Sequence, residues 1–61
     1  MSNEKRIDRI LTKLGMIWKR YPDLRFGQLI ETLTDPENTF YIEDSQLEMK
    51  IDSIIETLYN E

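Results

Sequence analysis

The sequence contains no cysteine and no histidine, only two glycines, two prolines and one tryptophan, in 61 residues. Without cysteine there are no disulfides and no thiolate metal sites; without histidine the common zinc sites are excluded too. General acid–base catalysis at neutral pH leans on histidine, and nucleophilic catalysis on cysteine or on an activated serine or lysine. Ser2, Ser45 and Ser53 stand near the start, at a helix cap and on a helix surface. No glycine-rich phosphate loop is present. The adjacent carboxylates Glu43 and Asp44 remain as a catalytic option, but a domain this small does not readily enclose a pocket. The reading is therefore a chain that is not an enzyme and needs no cofactor.

Long hydrophobic runs are missing as well. The longest, Met16-Ile17-Trp18 and Phe40-Tyr41-Ile42, have three residues, against roughly 20 for a spanning helix. No stretch has the character of a targeting signal, and the expectation is a cytoplasmic protein without membrane contact. The chain fits a single domain over residues 1–61. Folds of this size bury only roughly 60% of the surface that the unfolded chain exposes. They usually add a disulfide, a metal or a partner subunit. With the first two excluded, what remains is close helix packing, oligomerisation, or both.

Charge is divided along the chain. Residues 1–25 hold seven basic and three acidic groups, a net of +4, and residues 26–61 hold one basic and nine acidic groups, a net of −8. A basic first helix lying beside an acidic last helix accounts for this, since exposed ion pairs orient elements more than they stabilise them. The other account is a basic or acidic face offered to a partner.

What is present is helical periodicity. Ile7, Ile10, Leu11, Leu14, Ile17, Trp18 and Tyr21 follow a 3.6-residue period and predict a helix over about 4–21. Ser2 or Asn3 can cap it, and Pro22 stops it. Phe26, Leu29, Ile30 and Leu33 predict a second helix over about 24–34, with Asp23 as its N-cap and Asp35-Pro36 as its end. Ser45-Gln46-Leu47-Glu48 reads as a capping box opening a third helix over about 45–59, along which Leu47, Ile51, Ile54, Ile55 and Leu58 recur. Phe40, Tyr41 and Ile42 are expected in an extended connector at 39–43, its aromatics plugging the core. The fold class is all-α, a small three-helix bundle. Gly15 and Gly27 fall inside helical patterns, where glycine costs about 1 kcal/mol relative to alanine. Close backbone approach where the first two helices cross, with Trp18 and Phe26 alongside, would explain both.

Binding classes can be weighed residue by residue. Asp35 to Gln46 spans a twelve-residue loop rich in oxygen ligands, yet Phe40 stands where a calcium loop needs glycine and Gln46 where it needs glutamate. No metal is expected. Helix 1 carries Lys5, Arg6, Arg9, Lys13, Lys19 and Arg20 off its apolar stripe, which superficially suggests a helix-turn-helix. The second helix, however, presents Gln28, Glu31, Thr32 and Thr34 and no base beyond Arg25. Phosphate would be repelled by the acidic half, so nucleic acid is an unfavoured partner. The alternative readings are an acidic DNA mimic over residues 31–61, or weak nucleic-acid binding through helix 1.

Protein binding gathers more support. The apolar stripe of helix 1 is wider than one neighbouring helix covers, and Tyr41, Met49 and Tyr59 fall outside the expected core; exposed Met and Tyr suit adaptable interfaces. A homodimer and a further protein partner are both expected. Leu11, Leu14, Trp18, Phe26, Ile51 and Ile55 are the expected dimer or core anchors. Arg25, Gln28, Tyr41, Met49 and Tyr59 are the expected partner-binding residues. The competing account of two of these pairs Arg25 with Glu43 or Asp44, and bonds Gln28 to the connector backbone.

The stretch from Trp18 through Pro22-Asp23-Leu24-Arg25-Phe26-Gly27-Gln28-Leu29, with the later Phe40-Tyr41-Ile42-Glu43-Asp44, resembles a set of short bacterial and phage proteins of unassigned function. They share a tryptophan, a Pro-Asp-Leu-Arg-x-Gly-Gln-Leu core and a Phe-Tyr-x-Glu-Asp segment. The resemblance covers roughly residues 10–47 and brings no reaction, cofactor or ligand. It implies a stand-alone, phage-associated protein. Combined with the missing catalytic equipment, it points to stoichiometric inhibition or modulation of a host protein, counter-defence being one such role.

Overall fold

In the computed structural model, which describes residues 3–60, three helices follow one another: α1 (Asn3–Arg20), α2 (Phe26–Leu33) and α3 (Asp44–Tyr59). The expected bundle is present and no strand occurs among the described residues. Of the two expected start caps, Ser2 lies outside the described residues, and Asn3 stands inside α1 as its first residue. At the far end α1 stops one residue before Tyr21. The turn to α2 is held by the Tyr21 N–H on the Trp18 carbonyl at 2.9 Å and the Leu24 N–H on the Tyr21 carbonyl at 3.0 Å.

Both later helices start elsewhere than their sequence signals suggest. Asp23 is exposed in the turn, and α2 begins two residues late, with Arg25 at the N-cap in an extended conformation. Gln28 at N3 reaches back so that its Oε1 accepts the Arg25 N–H at 2.8 Å. That is half of a capping box; the other half is missing because a guanidinium has no acceptor. Likewise α3 opens one residue early, after Glu43, which places Ser45 and Glu48 inside the helix rather than at the ends of a capping box. The Glu48 carboxylate is committed to α1 instead.

The core is leucine and isoleucine throughout. Leu14, Ile17, Leu29, Leu33 and Ile51 are buried, and Ile10, Leu24, Ile30, Leu47, Ile54, Ile55 and Leu58 pack around them. Of the expected anchors, Leu14 and Ile51 are central and Ile55 lies on the rim of the core. Leu11 and Phe26 are exposed and Trp18 stands at the boundary, so these three are not core residues. The Cα extents of 32 × 27 × 18 Å explain this: the short dimension is less than two helix diameters of about 10–12 Å, so each helix keeps an open side.

Two further expectations fail for physical reasons. Phe40 and Tyr41 do not plug the core, and the connector is not extended. It coils into successive turns, with the Asn38 N–H on the Asp35 carbonyl at 2.8 Å and the Tyr41 and Ile42 N–H groups on the Asn38 carbonyl at 2.9 and 2.8 Å. Only Ile42 turns partly inward. Nor does close approach require either glycine, because a Cβ built on Gly15 or Gly27 meets nothing within 4 Å.

Ile51 has no exposed surface and its methyl groups fill the space where α3 meets both neighbours. Ile51→Val is expected to lower unfolding free energy by about 0.5–1.5 kcal/mol, read as a lower urea midpoint at unchanged slope.

Candidate functional site

Among the described residues, four ion pairs tie α1 to α3. Arg6 Nε lies 3.0 Å from Asp44 Oδ2. The Arg9 guanidinium grips the Glu48 carboxylate with both Nε and Nη2, the second at 2.9 Å from Oε1. Lys13 Nζ donates to Glu48 Oε2 at 2.9 Å and reaches Asp52 Oδ1 at 2.7 Å. Because 6, 9 and 13 match 44, 48 and 52 in ascending order, α1 and α3 run parallel. The short α2 supplies the return path. At the far end of the same seam, the Arg20 guanidinium sits 5.2 Å above the Tyr59 ring, a cation–π contact.

These contacts shift the charges involved. Hydrogen bonds from Arg9 first and Lys13 second hold the Glu48 carboxyl at about 2, well below its ordinary 4.5. Reciprocally, the Arg9 guanidinium is pushed up by its bond to Glu48, and the Lys13 ammonium by its bonds to Asp52 and then Glu48. The divided charge of the sequence is thus in part an internal arrangement, with Arg6, Arg9 and Lys13 turned to Asp44, Glu48 and Asp52.

Apolar surface collects where α2 hands over to α3. Tyr41, Ile42 and Met49 line an open groove of about 530 Å³, with Asn38 and Gln46 beside them and Asp35 and Lys50 in its wall. Tyr41 is 76% exposed and Met49 71%. Next to them Phe40, 87% exposed, meets the Tyr41 ring edge-on at 5.0 Å between centroids. Threonines brace the turn that carries these rings. The buried Thr34 hydroxyl donates to the Ile30 carbonyl at 3.0 Å and lies 2.7 Å from Thr39 Oγ1, itself 3.1 Å from the Asp35 carbonyl.

The expected partner-binding residues therefore do not form one patch. Tyr41 and Met49 meet in the groove. Arg25 and Gln28 lie at the opposite end of α2, a helix about 12 Å long, and Gln28 is occupied by its cap. Arg25 pairs with neither Glu43 nor Asp44, the latter being held by Arg6, and Gln28 does not bond the connector. Tyr59 is under Arg20, remote from the groove. Near Arg25, the Trp18 and Phe26 rings meet at a tilt of 41° with centroids 5.3 Å apart, and the Trp18 indole N–H donates to the Leu24 carbonyl at 2.7 Å, pinning the α1–α2 turn. Sequence reading missed Phe40 as surface and Thr34 and Thr39 as braces. The signal was there in Asp35-Pro36-Glu37-Asn38, a run of turn-formers that rarely begins an extended segment.

Among the described residues no group of three or more carboxylates is placed to hold a metal, and no helix is long and apolar enough to cross a membrane. No protein-family model matches the sequence, and no curated protein or solved structure is significantly similar to it.

The depressed Glu48 carboxyl has a consequence for acid stability. A carboxyl whose folded value lies below its unfolded one adds stability that is complete above about 4.5 and is lost as pH falls toward about 2. In thermal melts across that window, Glu48→Gln is expected to flatten the acid limb of the wild-type curve and to lower the melting temperature near neutrality.

Proposed function

We propose that this chain is a non-enzymatic protein-binding module that takes an apolar side chain of a partner protein into the Tyr41–Met49 groove, acting stoichiometrically as an inhibitor or modulator does. One observation carries this reading: Phe40 and Tyr41 stand exposed on a turn held in place by threonine hydroxyls, and the exposed Met49 of α3 shares a groove with Tyr41. Aromatic residues and methionine are enriched at the centres of protein interfaces. A turn already ordered in the free chain loses less conformational freedom on binding. The phage-associated, host-directed part of the proposal, counter-defence included, rests on the sequence resemblance.

The ion pairs weigh against a nucleic-acid role. Three cations of helix 1 face carboxylates of the same chain, which leaves fewer for phosphate and fewer acids for mimicry of a phosphate backbone. The groove itself carries one acid and one base, Asp35 and Lys50. Recognition there depends on burying apolar surface, which salt affects little, whereas phosphate contacts weaken steeply as salt rises.

The test is capture by the tagged chain from nuclease-treated host lysate at low and moderate salt, with Tyr41→Ala and Met49→Ala beside the wild type. Both variants are expected to keep the wild-type stability within about 0.5 kcal/mol while losing the captured protein at least about tenfold. Undiminished capture by both variants, or release of every partner by nuclease, would overturn the reading.

A further inference from the structure

We infer that the outer face of α1 is a self-complementary surface on which a second copy of this chain docks, the two α1 helices crossing antiparallel about a two-fold axis. At about 100° per residue, Ile7, Leu11 and Trp18 lie within about 40° of one another on α1, and all three are exposed. Along one edge of this stripe runs a line of Asp8, Thr12, Gly15 and Lys19. The Arg6, Arg9 and Lys13 ladder occupies the other side of the helix and faces α3. α2 touches the stripe only at its end, where the Phe26 ring meets Trp18 at 5.3 Å, and Ile7 and Leu11 remain exposed.

Gly15 gives this face its shape. A glycine in mid-helix is unfavourable, and nothing within the chain requires this one, since a Cβ there would stand in open space. The missing side chain leaves two adjoining depressions, one lined by Gly15, Trp18, Lys19 and Pro22, the other reaching Leu11 and Tyr59. A notch beside an exposed leucine, on the same helix, is what two copies need to interlock.

Charge selects a second copy over an unrelated helix. Asp8 and Lys19 sit about three turns apart on one edge, and neither has an ion-pair partner among the described residues. An antiparallel copy whose axis passes midway between them sets Asp8 of each protomer against Lys19 of the other, twice by symmetry. The same register brings Gly15 opposite Thr12 of the partner subunit, the two smallest side chains meeting where the helices are closest. Leu11 then lies over the notch. Parallel packing would leave Asp8 of one copy about three turns along the axis from Lys19 of the other. Because the groove of Tyr41 and Met49 lies toward the start of α1, the antiparallel pair carries one free groove at each end, so this inference does not depend on what the groove binds.

Sedimentation equilibrium of the purified chain, from micromolar to about millimolar, tests it. The wild type is expected to dimerise, more weakly as salt rises. Gly15→Gln fills the notch with a better helix former, so helical circular dichroism should persist while dimerisation weakens at least about tenfold. Asp8→Lys and Lys19→Asp should each weaken the dimer several-fold, and the double exchange should restore it. A chain monomeric throughout would overturn the proposal. So would a dimer indifferent to Gly15→Gln, or a double exchange weaker than either single one.

Discussion

The register of α1 against α3 depends on one carboxylate. Glu48 receives Arg9 and Lys13 together, while Arg6 and Asp44 on one side and Lys13 and Asp52 on the other extend the seam. The individual pairs lie near solvent and contribute little stability each. Their effect is positional: sliding α3 by one turn leaves Asp44 or Asp52 without a cation. Parallel helices side by side also align their dipoles unfavourably, and a ladder of opposite charges offsets that repulsion along the seam. With this register set, Ile51 falls among Leu14, Ile17, Leu29 and Leu33, and the core closes.

Charge pairing within the chain also decides what kind of surface remains. Three basic groups of the first half and three acidic groups of the second are turned to each other, and large apolar side chains stand exposed among the charges that remain. That surface has two forms. At one end a braced turn carries two aromatic rings beside a methionine and a groove. Along α1 a leucine, an isoleucine and a tryptophan flank a bare stretch of backbone at Gly15. The first is a receptacle for a side chain; the second is shaped like a helix seam.

The helices were legible because apolar spacing is written directly into the residues. Leu29, Leu33 and Ile51 recur where burial demands them. Helix starts were less legible, because capping signals compete with distant partners invisible to local reading. Glu48 fits a capping box by spacing, yet two cations of α1 outbid a backbone N–H for its carboxylate. Asp23 could cap, but the indole bond from Trp18 to the Leu24 carbonyl holds the turn open for two more residues, and Gln28 caps from within. The site was half legible. Met49 was identifiable as a surface residue by its position off the apolar stripe, while Tyr41 fitted both a core plug and an exposed contact. Phe40 was not, since an aromatic in an apolar triplet is ordinarily buried; only the three-dimensional course of the turn brings it out.

The indole of Trp18 is the chain's one strong natural fluorophore, and its place has a spectroscopic meaning. It stands at the boundary between core and solvent, tilted against Phe26 and bonded to the Leu24 carbonyl. Its emission therefore follows the α1–α2 turn and not the leucine and isoleucine interior. Fraying of that turn would alter the fluorescence while the α1–α3 seam, and most of the helical signal, stayed intact. For this molecule the two optical probes watch different parts of the fold, and agreement between them measures how tightly the turn is coupled to the rest.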